Sequence, residues 1–283
     1  MPRKATETIG IIGAGVVGGS LQIFLEQHGR DVAVFDPPKG HESTEAMNTA
    51  EIVFVCVPTP YTPGVGFDNR HLNEAVGRIA GSKIVIIKST VLPGTTEMMQ
   101  DRFPQHRFMF NPEFLREATA FDDFVRPDRQ IVGYTAESRD SVDRVMEVLP
   151  RAPFERICRA SEAEMAKYVA NSFLAVKVSY ANEVFDLCER MRIDYDLVRD
   201  MVAADARIGA SHMDVLDGGY RGYGGKCLPK DSKSLIDLAR SLGIDMHVLR
   251  AADRVNASLR NDELASARVV AMPGVSEAER RAA

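Results

Sequence analysis

The chain has 283 residues, 45% of them hydrophobic and 27% charged, which suits one large or two modest globular domains with real cores. A formal net charge of −5 gives no reason to expect nucleic acid or an anionic membrane surface as partner. No apolar run reaches the roughly 18 residues that span a bilayer, and "MPRKATETIGIIGAG" enters a strand-and-turn pattern without a cleavable apolar segment, so cytoplasm is the default compartment.

The first half alternates short β-branched runs with helical stretches. "TIGIIGAG" reads as a strand ending in glycines, and "VVGGSLQIFLEQHG" as a helix closed by Gly29. Further strands follow at "DVAVFD", "EIVFVCVP", "KIVIIKST", "HRFMFNPEF" and "RQIVGYT". Near-continuous apolar strands separated by helices imply a parallel sheet covered on both faces, a Rossmann-like doubly wound α/β architecture. From about residue 160 the strand signal stops. "SEAEMAKYVANSFLAVKVSYANEVFDLCERM" keeps helical spacing throughout, and "DYDLVRDMVAAD", "KDSKSLIDLARSLG" and "DMHVLRAADRVNASLR" predict shorter helices. The expected organisation is a Rossmann-like domain over 1–157, an all-helical dimerisation domain over 158–262, and a partly disordered tail over 263–283.

"IGIIGAGVVGG" holds G-x-G-x-x-G as Gly13, Gly15 and Gly18, between a predicted strand and a predicted helix, as dinucleotide binding requires. Val16 and Val17 then fall at the helix start, against the pyrophosphate. Asp36 ends the second strand, where a carboxylate accepts from the adenine ribose and repels a 2′-phosphate, so NAD is the expected cofactor. Lys39 nearby is the one residue that favours NADP. Of the four cysteines, Cys56 and Cys188 read as small core residues and Cys158 as a strand residue; no spacing suits a metal. Cys227 differs. It lies in the glycine-rich "GYGGKCLPKD", and Lys226 and Lys230 beside it favour the thiolate. Elsewhere "KSTVLPGTT" puts Ser89 and Thr90 at the ligand-binding end of a strand, and "NPEFLREATAFDDFVRPDR" brings Glu113 and Glu117. "AEMAKYVANSF" sets Lys167 and Asn171 on one helical face.

Taken with "GAGVVGG", "VFVCVPTP" and "ARIGASH", these stretches resemble the nucleotide-sugar dehydrogenases, the family of UDP-glucose and GDP-mannose 6-dehydrogenases, in order from residue 9 to about 260. The resemblance implies an NAD-dependent, four-electron oxidation of a sugar primary alcohol to a carboxylate through a cysteine thioester. It makes Cys227 the nucleophile, Asp231 its assisting acid, Lys167 and Asn171 the oxyanion donors, and Thr90 and Glu113 the residues that handle water. Pro58, Thr59, Ser89, Glu117 and Lys230 match cofactor-side positions. Phe114, Leu115, Arg207, Tyr223, Gly224 and Gly225 match substrate-side ones, with Arg207 reaching a neighbouring subunit in a homodimer built on the helical half. The chain resembles a compact form without the family's C-terminal nucleotide-binding domain, and the substrate the resemblance implies is a nucleotide sugar or a sugar phosphate. Two other functions stand beside this one: a two-electron β-hydroxyacid or alcohol dehydrogenase, which has no need of Cys227, and a catalytically idle dimeric relic.

Overall fold

The computed structural model describes residues 8–216 and 219–261. The tail over 263–283, which the sequence marks as partly disordered, lies outside them. Two compact units divide the chain, Met1–Val169 and Ala170–Ala283.

The first unit carries, in chain order, β1 (Ile9–Ile12), α1 (Val16–Gln27), β2 (Val32–Phe35), α2 (Thr44–Asn48), β3 (Ile52–Val55), the two-residue strands β4 (Tyr61–Thr62) and β5 (Gly66–Phe67), α3 (Arg70–Gly77) and β6 (Ile84–Ile87). Then follow α4 (Thr95–Arg102), β7 (Arg107–Phe110), α5 (Ala120–Val125), β8 (Arg129–Tyr134), α6 (Val142–Met146) and β9 (Phe154–Arg159). A seven-stranded sheet is ordered β2-β1-β3-β6-β7-β8-β9. β1, β3 and β6 are buried along their whole length, and their side chains alternate between two cores. Val53, Val55, Val85 and Ile87 point into one core, with Met47, Leu72 and Met99. Ile52, Phe54, Ile84 and Ile86 point into the other, with Leu21, Leu25 and Phe124. Helical cover on both faces is what the apolar runs require.

The expected parallel sheet is found from β2 through β7, and its far side adds one reversal. β7 and β8 pair antiparallel, Met109 with Tyr134 and Phe110 with Gly133, and β9 runs parallel to β8. An apolar run encodes burial and not direction, so the sequence pattern is the same for either orientation. The reversal has a consequence: β8 starts at the edge where β7 ends. Residues 111–128 therefore stay at the carboxyl edge of the parallel strands, where ligands bind in such folds.

Helix α7 (Ala160–Met191) is 32 residues long and holds the boundary between the units. The second unit continues with α8 (Tyr195–Ala203), α9 (Leu228–Ser241) and α10 (His247–Asn261). Ala181 and Cys188 of α7 pack with Tyr195, Met213 and Val215. Ala175 and Val178 pack with Tyr223, and Ser179 donates to the Ala252 carbonyl of α10 over 3.0 Å. No helix among the described residues is long and apolar enough to cross a membrane.

Candidate active site

The strand order reverses between β1 and β3, and the glycine turn sits at that point. Gly13 has φ +89°, and a Cβ there would come within 2.6 Å of the Cys56 carbonyl. A Cβ on Gly18 would fall 1.9 Å from the Gly13 carbonyl, so this glycine lets α1 seat against the turn. Gly15, the N-cap of α1, has no neighbour within 4 Å of where its Cβ would be. No side chain caps α1 and no acid lies in its first turn. Bare amides beside an open glycine are what a pyrophosphate needs, so these residues fit a dinucleotide. Val16 opens α1, half-exposed, with Val17 behind it.

Asp36 follows β2, and its Oδ2 accepts the Ala14 N–H over 2.7 Å, while Lys39 Nζ donates to the Ala14 carbonyl. Two side chains that follow β2 thus hold the two peptide groups on either side of Ala14 in the glycine turn. After β3, Pro58 is exposed and Thr59 buried; the Thr59 hydroxyl donates to the Thr90 carbonyl over 2.6 Å. The Ser89 hydroxyl donates to the Val57 carbonyl over 2.7 Å. The loops after β3 and β6 are pinned to each other.

Glu113 and Lys167 meet in this unit. Lys167, 3% exposed, donates from Nζ to the Glu113 carbonyl over 2.6 Å and to its Oε1 over 3.0 Å. Glu113 Oε2 accepts the Leu115 N–H over 2.8 Å. Burial works to raise the Glu113 pKa, but the Lys167 charge and the Leu115 amide outweigh it and hold the carboxyl below its ordinary value. Phe114 is gripped on its ring by the Arg129 guanidinium at 3.7 Å and by Lys167 at 5.4 Å. Glu117 stands exposed in a short 3-10 turn, Glu117–Thr119.

The second unit holds the remaining residues. Cys227 is exposed and is the N-cap of α9, so Lys230 and Asp231 lie in the helix's first turn and not in the loop. An N-terminal position favours a thiolate through the helix dipole. Lys230 is otherwise engaged, donating to Asp231 Oδ1 over 2.6 Å. Asp231, with no exposed surface, takes Asn171 Nδ2 on its other oxygen, also over 2.6 Å. Upstream, the Tyr223 N–H donates to Asn256 Oδ1 of α10 over 2.7 Å, which fixes the glycine loop through a buried amide. Gly224 lies against Tyr220, whose hydroxyl would be 2.7 Å from an added Cβ, and Gly225 is exposed with φ +71°. Arg207 is exposed and bonds Asp205.

Three residues that sequence reasoning passed over belong to this framework. Lys88 is buried beside Ser89, and Asn256 holds the glycine loop. Glu164, without exposure, accepts from the Gly94 amide over 2.7 Å and from the Thr96 amide over 2.9 Å, so it caps α4 from α7. The signal for Glu164 was its place one turn before Lys167; for Lys88 it was a cation closing the apolar strand "KIVIIKST". Cys56 is inert by comparison, its thiol pushed up to about 12 by burial. Among the described residues no cluster of His, Cys, Asp and Glu could hold a metal ion.

Residues 39–150 match the NAD binding domain of the UDP-glucose/GDP-mannose dehydrogenase family, and residues 161–258 match its central domain. A UDP-glucose 6-dehydrogenase of Pseudomonas aeruginosa is 37% identical over 236 residues, which cover 75% of this chain and 50% of that protein. One from Haloferax volcanii is 30% identical over 302 residues, covering 88% of this chain and 69% of that one. The chain thus spans about half the length of the first of these relatives and more of the second. The solved structure of a UDP-glucose dehydrogenase from Pyrobaculum islandicum superposes with a TM-score of 0.80 at 29% identity, over 91% of this chain and 70% of that one.

Proposed function

This chain belongs to the UDP-glucose/GDP-mannose dehydrogenase family, and on that premise we propose that it oxidises the primary alcohol of a nucleotide sugar to a carboxylate, with NAD as oxidant and Cys227 as covalent nucleophile. The observation that carries the proposal is an exposed thiol at a helix N-terminus, with buried Asp231 one turn on and bonded to Asn171.

The glycine turn at Gly13, Gly15 and Gly18 would hold the pyrophosphate and Asp36 the ribose, with Pro58, Thr59, Ser89, Glu117 and Lys230 along the cofactor's side. Two NAD molecules, bound in turn, would supply the oxidation by accepting one hydride each, at the alcohol and at the thiohemiacetal level. The Cys227 thiolate adds to the aldehyde carbon, forming the C–S bond, and the carbonyl oxygen gains charge as it does so. Lys167 and Asn171 donate to that oxygen in this step and again when water attacks the thioester. Glu113, held ionised, and Thr90 orient the water and take its proton; the C–S bond then breaks and the thiolate leaves. Phe114, Leu115, Tyr223, Gly224 and Gly225 line the sugar.

The protein is proposed to act as a homodimer. On α7, Phe173, Tyr180 and Leu187 recur every seventh residue, each about 60% exposed. A seam of that kind is costly to leave in water. Arg207 is proposed to reach the substrate of the neighbouring subunit. The proposed compartment is the cytoplasm, where a nucleophilic Cys227 stays reduced.

The test is an assay of NADH formed from UDP-glucose, GDP-mannose and a sugar phosphate, with the product identified by mass spectrometry. Two NADH per sugar acid is expected. One NADH per turnover with no acid would replace the proposal by a two-electron dehydrogenase, and no NADH from any substrate would overturn it.

A further inference from the structure

Lys88 has no part in the chemistry above, yet its environment is built around it. It directly follows β6, is 3% exposed, and donates from Nζ to Asn111 Oδ1 over 2.6 Å. Asn111, with no exposed surface, spends its own Nδ2 on Gln130 Oε1 and on the Ile131 carbonyl, each over 2.7 Å. β8 therefore fixes the Asn111 amide so that its oxygen is turned to Lys88. The Phe124 ring of α5 lies 5.5 Å from the ammonium.

A neutral amide and an aromatic ring are weak compensation for a buried cation, and an apolar side chain of the same size would cost less. The charged and titratable groups acting on Lys88 are Cys56 after β3, Glu113 after β7, and Lys167 on α7. Of these, Glu113 is the ionised carboxylate, two residues beyond Asn111. One carboxylate thus stands in the field of two ammonium groups, and Lys88 grips the same turn through Asn111.

We propose that Lys88 is a positioning residue for Glu113: through Asn111 it holds the turn that presents this carboxylate, and its ammonium is the second cation, after Lys167, that keeps it charged. Two further features agree. Lys88 is among the groups that hold the Glu113 carboxyl below its ordinary value. Burial pulls the Lys88 pKa down to about 8, against the pull of Cys56 and Glu113 and with the repulsion of Lys167. Its charge is therefore present at neutral pH and given up a little above it. The effect on turnover rests on the function proposed above; the effect on Glu113 does not.

The experiment follows the Glu113 carboxyl by carbon NMR in glutamate-labelled protein, assigned with Glu113→Gln, in wild type, Lys88→Met, Lys88→Gln and Lys88→Arg. Removing the charge should raise the Glu113 midpoint by about 1 pH unit, the scale for a nearby cation. Lys88→Arg should leave it unmoved. Lys88→Gln keeps a donor for Asn111 and carries the test should Lys88→Met fail to fold. An unchanged midpoint in the neutral variants overturns the proposal. In the NADH assay, the neutral variants should lose about 10–100-fold in kcat with KM within about threefold, as for a misplaced group. The acid limb of their kcat/KM profile should move to higher pH. A purely structural role predicts lower stability and an unmoved acid limb. Absence of turnover in wild type would sink the proposed function while the NMR comparison still decides the role of Lys88.

Discussion

Asn171 donates through Nδ2 to Asp231 Oδ2 over 2.6 Å, joining α7 to the first turn of α9, the helix whose N-cap is Cys227. Asp231 is buried, so removing the Asn171 amide leaves an acceptor lone pair unmet. Asn171→Ala should cost about 1–3 kcal/mol in urea unfolding. It should also lower kcat by on the order of 10²–10³, the scale for one oxyanion donor. Loss of stability with full kcat would assign Asn171 to the framework alone.

Cys227 should be the most reactive cysteine. It is exposed at a helix N-terminus, whereas Cys188 is buried and the Cys56 thiol is held near 12 by burial. Peptide mass spectrometry after brief iodoacetamide treatment should find label on Cys227 before Cys56, Cys158 or Cys188, and substrate should protect it. Cys227→Ser should block net formation of acid. Normal four-electron turnover in that variant would exclude the thioester route.

The glycine turn admits no side chain at Gly18. A Cβ there would lie 1.9 Å from the Gly13 carbonyl, so Gly18→Ala must displace either the turn or α1. NADH binding followed by fluorescence should weaken by at least about tenfold, with a stability cost of about 1–3 kcal/mol. Asp36→Ala should weaken NADH and narrow its advantage over NADPH in the same titration, because it removes the proposed ribose acceptor together with the partner of the Ala14 amide.

Glu164 makes stability depend on pH in a defined window. Burial raises its pKa to about 7, the largest effect, while the Thr96 and Gly94 donors pull the other way. The folded carboxyl then binds its proton more tightly than the unfolded one. Its contribution is full below the ordinary glutamate value of 4.5 and is lost as pH rises through about 7. Between those limits the loss is on the order of 3 kcal/mol. Thermal unfolding of wild type should show this decline, and Glu164→Gln should flatten it. An equal slope in both proteins would show that the proton resides elsewhere.

The α7 seam should hold the dimer. Phe173 and Leu187 are among its exposed apolar residues, and Phe173→Glu with Leu187→Glu should yield monomers by light scattering at micromolar concentration. A wild-type monomer under those conditions would exclude the dimer.

Local pattern was enough for much of this protein. The buried apolar runs of β1, β3 and β6, the helical spacing of α7 and the glycines after β1 each carry their structural meaning within a few residues, because burial and backbone conformation are locally encoded. Cys227 was legible for the same reason, with its own loop announcing it. The direction of β8 was not, since the same apolar residues serve either orientation. Nor were the partners of the polar side chains. Lys88 and Asn111, Lys167 and Glu113, Asn171 and Asp231, and Glu164 and Thr96 are all far apart along the chain. Each pair exists because a buried charge or amide must find a hydrogen-bond partner wherever the packed elements bring one, and only folding sets which elements those are.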